Sequence, residues 1–251
     1  MPRFFVTYPI SGQDDKISIK GSDAKHIMGV LRMKPGREIT VCDAEGTDHL
    51  CNIESFSGEA VIAAIIGRSK NGNESGYEII VYQGLPKADK METIIQKCVE
   101  LGVSKIIPVN CIRSVAKIND KKDIEKKTAR WNRIAYEAAK QCNRNKIPEI
   151  GYPITFMEAI KKMSKDDLSF LPWESEEKQT IKEFLSNVAV HESGGRPSIS
   201  FIVGPEGGFD IEEVEYAKKC GIETVSLGKR ILRTETVAPS ILAMILYEFD
   251  L

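Results

Sequence analysis

Apolar and polar positions alternate with a period near two in the first third of the chain, and much of the remainder shows helical spacing. The runs RFFVTY, KISIKG, REITVCD, DHLCNIES and EAVIAAIIG are bounded by turn-forming stretches such as SGQDD, KPG and AEG. This is the pattern of short, half-buried strands. One segment among them, SDAKHIMGVLRM, reads as a helix, with Ser22 or Asp23 a suitable N-cap. The expectation is a small β-barrel-like domain over residues 1–72. The polar, glycine-rich stretch SKNGNESG (69–76) reads as a linker.

From residue 73 to 251, strands take turns with helices. YEIIVYQGL is a predicted strand, and KADKMETIIQKCVELGV an amphipathic helix with Ile94, Ile95, Cys98 and Leu101 on one face, closed by Gly102. SKIIPVN, LSFLPWE, SISFIVG and ETVSLG read as further strands. KKDIEKKTARWNRIAYEAAKQC, FMEAIKKM, TIKEFLSNVAV, IEEVEYAKKC and TVAPSILAMILYEF read as helices. Asp210 and Glu213 form a D-x-x-E capping box for the fourth of these, and Gly221 closes it. The alternation implies an α/β domain with a mostly parallel sheet covered on both faces.

The 251 residues are 42% hydrophobic and 28% charged, ordinary for a globular chain that buries its own core. No apolar run is long enough to span a membrane, and MPRFFVTYPI lacks the features of a secretory leader. Cys42, Cys51, Cys98, Cys111, Cys142 and Cys220 are scattered, which suggests reduced thiols filling the core. The three histidines have no ligand spacing, so no metal is expected. Net charge is −1, yet residues 113–147 hold eleven Lys/Arg against four Asp/Glu. That stretch is either a solvated helix face or a surface turned toward an anion such as nucleic acid.

Ligands in open α/β sheets bind beyond the carboxyl ends of the strands. Two loops stand out there: GPEGGF after SISFIV, and LGKRILRTET after ETVS. The short helix between them places these loops at neighbouring strand ends. Neither is a phosphate loop, for the chain has no G-x-x-x-x-G-K-[ST] and no G-x-G-x-x-G. In GPEGGF, Gly204, Gly207 and Gly208 let the backbone approach a ligand, and Pro205 stiffens the turn. In the second loop, Arg230, Arg233, Thr234, Glu235 and Thr236 surround the apolar Ile231 and Leu232. The mixture suits a cofactor with a heterocycle and a zwitterionic tail but no phosphate, such as S-adenosylmethionine.

At these residues the chain resembles the RsmE-type 16S rRNA (uracil-N3) methyltransferases of the SPOUT superfamily. RFFV, HIMGVLRM, KADKMETIIQKCVELGVSKIIPV and QCNRNKIPEI fall in the same order, so the resemblance covers nearly the whole chain. It implies an N-terminal PUA-like RNA-binding β-barrel domain (1–72). It also implies a C-terminal SPOUT α/β-knot methyltransferase domain (73–251) with a deep trefoil knot, and a cytoplasmic homodimer. The substrate it implies is 16S rRNA, within the small ribosomal subunit. The cofactor site it implies comprises Leu85, Val203, Gly204, Pro205, Glu206 and Gly207, then Leu227, Gly228, Ile231 and Leu232, then Arg233, Thr234, Glu235, Thr236 and Ala238. Arg3, His26, Arg32, Lys87 and Arg144 are the expected RNA contacts.

Methyl transfer to N3 requires loss of the N3 proton, which leaves negative charge on O2 and O4 of the uracil. Arginine suits those oxygens, and Arg144 and Arg233 are the candidates, Arg144 acting across a dimer interface. Glu206 is a candidate proton acceptor, a cofactor contact or a turn carboxylate. Three positions depart from the common pattern: Val237 follows R-T-E-T where alanine is usual, and Asn143 and Lys146 replace glycine and arginine. Asp210 stands for a common serine, a neutral exchange at an N-cap. Ribose 2′-O methylation, and RNA binding without catalysis, are the rival readings.

Overall fold

The computed structural model describes residues 1–70, 72–118, 120–187 and 196–250. Asn71 of the expected linker and residues 188–190 of an expected helix lie outside that set. The chain forms two compact units, Met1–Glu74 with Ala139–Lys146, and Ser75–Ala138 with Ile147–Leu251. The sequence reading placed 139–146 wholly in the second domain; the structure gathers it with the first.

In the first unit, strands β1 (Arg3–Phe5), β2 (Lys16–Ile19), β3 (Glu38–Cys42), β4 (Thr47–Ser57) and β5 (Ala60–Lys70) form one sheet in the order β1-β3-β4-β5-β2. The period-two pattern puts Ile17, Ile19, Ile39, Val41, Val61 and Ala63 into a common core with Phe4 and Ile27. Register shifts between Leu50/Cys51 and Ile53/Ser55 interrupt the long β4–β5 ladder, which bends such a hairpin. Burial pushes the Cys42 and Cys51 thiols up to about 12, in keeping with inert core filler.

The expected helix is shorter and begins earlier. Helix α1 covers Gly21–Lys25 and passes into a π-turn, His26–Val30. Its N-cap position is Lys20, without a side-chain cap, so neither Ser22 nor Asp23 caps it. Asp23 is instead buried and paired with Lys140 at 3.4 Å.

Two arginines expected on phosphate are buried in this unit. Arg3 forks onto Asp48 at 2.9 and 2.6 Å and is 6% exposed. Arg144 is 4% exposed and reaches Glu74 through Nη2 at 2.6 Å and Nε at 3.3 Å. Glu74 also accepts the backbone N–H groups of Asn145 and Lys146. The stretch read as a linker therefore contains a half-buried carboxylate that holds the 144–146 turn. Asn143 adopts φ 59°, a left-handed conformation that asparagine tolerates, so the turn survives the loss of glycine.

Among the described residues of the second unit, seven strands pair in parallel. They are β6 (Glu78–Gly84), β7 (Lys105–Asn110), β8 (Glu149–Ile150), β9 (Ile154–Thr155), β10 (Leu168–Pro172), β11 (Ser198–Val203) and β12 (Glu223–Val225). The order is β12-β10-β11-β6-β7-β8, with β9 also beside β7. The central strands are buried almost throughout, as strands covered on both faces must be. Helices α2 (Lys90–Glu100), α3 (Lys121–Gln141), α4 (Phe156–Met163), α5 (Ile181–Asn187), α6 (Ile211–Lys219) and α7 (Thr234–Phe249) complete the chain. Asp210 and Glu213 form the expected capping box, and Thr155 and Glu158 form another. Strands β8 and β9 are two residues long, too short to leave a pattern. One expectation is corrected: β11 and β12 are not neighbours, because β10 lies between them.

The Glu74 anchor has a signed pH dependence. Burial opposes its charge, but Arg144 and the two N–H groups outweigh that and hold its carboxyl below the ordinary value. A depressed folded value stabilises the fold above the unfolded value, and that stability is lost as pH falls through the folded one. Glu74→Gln should lower stability at neutral pH by about 3 kcal/mol and flatten the acid limb of the denaturation curve; urea melts across pH, followed by amide exchange in β4, measure both.

Candidate cofactor site

Because β10, β11 and β12 run parallel, their carboxyl ends share one edge of the sheet. The loops leaving that edge line a single cavity of about 1170 Å³. Its walls are Trp173, Glu174, Glu176, Glu177 and Thr180 after β10, Gly204–Phe209 after β11, and Ser226–Arg233 after β12.

A close approach allows the arrangement. A Cβ on Gly84, the last residue of β6, would lie 2.7 Å from Pro205 N and 2.9 Å from Val203 O. Only glycine lets the end of β6 and the start of GPEGGF lie this close. The two motifs are then tied together inside the protein. Thr234 Oγ1 donates to Gly204 O at 2.7 Å and accepts from Gln83 Nε2 at 3.0 Å. Gly208 has φ 66°, and a Cβ there would meet Glu174 Oε1 at 2.7 Å. Outside the loop, Arg113 donates to Gly207 O and to Asp210, both at 3.3 Å.

Glu206 does not point idle into the cavity. Its Oε1 accepts the Lys87 N–H at 3.0 Å and lies 3.2 Å from Lys90 Nζ. The same ammonium is 3.2 Å from Glu235 Oε2. Burial raises the Glu206 carboxyl, but its own backbone N–H, that of Lys87 and the Lys90 charge together bring it below the ordinary value.

Most of the expected cofactor residues line this cavity: Val203, Gly204, Pro205, Glu206 and Gly207 from one motif, Leu227, Gly228, Ile231, Leu232, Arg233 and Thr234 from the other. Leu85, Glu235, Thr236 and Ala238 are not in its lining. Leu85 and Ala238 are buried, Thr236 donates its N–H to Arg233 O, and Glu235 pairs with Lys90. Val237, the departure from the common pattern, does line the cavity. Sequence reasoning missed the wall after β10, with Trp173 and Glu174, and it missed Lys90. The PWE following LSFL was the available signal, since it too leaves a strand's carboxyl end.

The expected RNA contacts are not gathered here. Arg3 and Arg144 are committed to carboxylates in the first unit, where His26 is half-buried near the Phe4 ring and Arg32 is exposed. Lys87 is exposed in the second unit. Of the basic stretch, Arg113, Lys127, Arg130, Lys140 and Arg144 are ion-paired, so much of its apparent excess is internally compensated.

The residues fit S-adenosylmethionine. GPEGGF offers backbone donors and acceptors without a phosphate cradle, and Ile231, 88% exposed at the rim, is an apolar surface suited to a flat ring.

Residues 73–246 match the RNA methyltransferase domain family and residues 19–66 the RNA methyltransferase PUA domain. The chain is 36% identical to ribosomal RNA small subunit methyltransferase E of Bacillus subtilis, over 100% of this chain and 98% of the relative. It is 31% identical to the protein of the same name from Mesomycoplasma hyopneumoniae, over 95% and 96%. Among solved structures, the ribosomal RNA small subunit methyltransferase E of Neisseria gonorrhoeae bound to S-adenosyl methionine superposes with a TM-score of 0.85. That match has 30% identity and covers 98% of this chain and 97% of the other.

Gly84→Ala should destabilise the protein by about 1–3 kcal/mol and weaken cofactor binding, because Pro205 N and Val203 O are backbone atoms that cannot swing aside. Gly29→Ala, with open space around it, should be nearly neutral; paired thermal melts make the comparison.

Proposed function

This chain belongs to the ribosomal RNA small subunit methyltransferase E family, and from that premise we propose that it methylates N3 of one uridine in 16S rRNA. It is an S-adenosylmethionine-dependent rRNA methyltransferase by family. The observation that carries the finer reading is the joining of GPEGGF and RILRTET around one cavity with Arg233 in its wall.

When bound, S-adenosylmethionine supplies an electrophilic methyl group on a sulfonium. The residues that would hold it are Gly204 to Gly207, through backbone groups, and Leu227, Ile231 and Leu232, through apolar contact. Uracil N3 pairs in a duplex, so the base must be unpaired or flipped out to react. Arg233 stands exposed at the N-cap of α7. Its guanidinium stabilises the charge that develops on O2 and O4 as the N3 proton leaves. We assign Glu206 to anchoring the loop rather than to taking that proton. A carboxylate held below its ordinary value is a weak base at neutral pH. Arg144, given its grip on Glu74, we assign to holding the 144–146 turn, leaving Arg233 as the charge stabiliser.

Family membership also supports a closed PUA-like barrel in the first unit and a deep trefoil knot in the second. The knot would involve the two loops that Thr234 joins. It supports a homodimer acting on the small ribosomal subunit, with His26, Arg32 and Lys87 on RNA phosphate. Among the described residues no helix is long and apolar enough to cross a membrane, and we place the enzyme in the cytoplasm with its ribosomal substrate.

An N3-methyl blocks base pairing, so reverse transcriptase should stall at one uridine near the 3′ end of 16S rRNA and read through in a deletion strain. A stall that persists without the gene refutes the substrate. Arg233→Ala should slow methyl transfer roughly 100- to 1,000-fold with the fold intact; single-turnover assays at saturating cofactor measure it.

A further inference from the structure

We infer that Lys90 is a positioning residue of the cofactor cavity, whose ammonium holds the two cofactor-binding motifs in register through Glu206 and Glu235. The inference rests on the cofactor reading of that cavity. Lys90 Nζ lies 3.2 Å from Glu206 Oε1 in the loop after β11 and 3.2 Å from Glu235 Oε2 in the first turn of α7. The residues it bridges belong to separate motifs, far apart in sequence, and Lys90 itself lines the cavity.

The position of Lys90 says what the ammonium is for. It is the first residue of α2, and a cation at a helix N-terminus faces the positive end of the backbone dipole. Local helix stability therefore gives no reason for a lysine here; the two carboxylates do. Glu235 sits in the first turn of α7, where a carboxylate is favoured in its own right. Glu206 is already oriented by the Lys87 N–H. Each acid is thus held without Lys90, Glu206 by the Lys87 N–H and Glu235 by its helix, and without a cation between them the two carboxylates would repel.

A second, buried tie joins the same motifs, Gln83 to Thr234 to Gly204 O. The two ties differ in kind. The buried one fixes the backbone at the base of the cavity. Lys90, with its side chain one-third exposed, holds the outer, more accessible part of the lining, its rim. Lysine acts on that rim through the two acids and not on the methyl group or the base.

Amide exchange in the ligand-free protein tests this independently of cofactor. Lys90→Met should speed exchange of Glu206, Gly207, Thr236 and Val237 together, roughly tenfold, with global stability near wild type. In calorimetry it should weaken S-adenosylmethionine binding by roughly tenfold, and Glu235→Gln in the Lys90→Met background should add little, the mark of a shared interaction. Methyl transfer at saturating cofactor should remain close to wild type, a KM effect without a kcat effect. Lys90→Arg should restore both exchange and binding. Unchanged exchange in Lys90→Met, additive losses, or no recovery with arginine would overturn the inference. Failure of the wild-type protein to bind S-adenosylmethionine would overturn the cofactor reading, while the exchange result would still decide the clamp.

Discussion

The site depends on one hydrogen bond that could form only where a side chain is missing. Thr234 Oγ1 reaches Gly204 O at 2.7 Å, joining the start of α7 to the loop after β11. The loop can be there because Gly84 has no Cβ to strike Pro205 and Val203. Gln83, its neighbour and fully buried, closes the link from the sheet by donating to the same hydroxyl. Breaking either bond of a buried hydroxyl leaves a buried polar group without a partner, so the link is costly to break. The cavity walls are then set by the sheet and not by the loops' own preferences.

The same economy governs the charges. Three carboxylates at loop bases each hold named donors: Glu213 caps α6 and receives Ile112 N–H, Glu206 receives Lys87 N–H, and Glu74 receives two backbone donors and an arginine. Burial disfavours each of these charges, and the donors decide the result. Glu213, the most buried of them with two N–H donors and Asp210 nearby, stays above its ordinary value. Glu74 and Glu206, each with a cation added, fall below it. Arg113 near Glu213 pulls less than Asp210 pushes, whereas Arg144 touches Glu74 and Lys90 touches Glu206; a cation in direct contact, more than the number of N–H groups, separates the two outcomes.

Much of the fold was legible. Strand–helix alternation, the Asp210 capping box and the glycines that close α2 and α6 are local features, and local features leave local patterns. Both motifs that line the cavity were legible for the same reason. What was hidden depends on pairing across the chain. Nothing in SISFIV or ETVS says that LSFLP will lie between them, so the loop after β10 was overlooked although it forms a wall of the cavity. Arg3 and Arg144 read as surface cations because their carboxylates lie 45 and 70 residues away. Glu74 read as linker because composition reports polarity and not burial.

GPEGGF carries an acid and no lysine, and both facts have a physical reason. A lysine in the loop would serve a phosphate, and the cofactor has none. The acid serves the loop itself: its carboxylate reaches out to the N–H of Lys87 and to Lys90, so the positive charge sits on the neighbouring helix instead of in the loop. That division leaves the backbone of Gly204 to Gly207 lining the cavity, with the one side-chain charge among them, Glu206, matched by Lys90. A loop built this way binds a ligand by shape and backbone complementarity, and its geometry is held from behind. Arg233, at the N-cap of α7 and one residue from Thr234, inherits that geometry, because the hydroxyl that fixes Gly204 O also fixes the backbone from which the guanidinium projects.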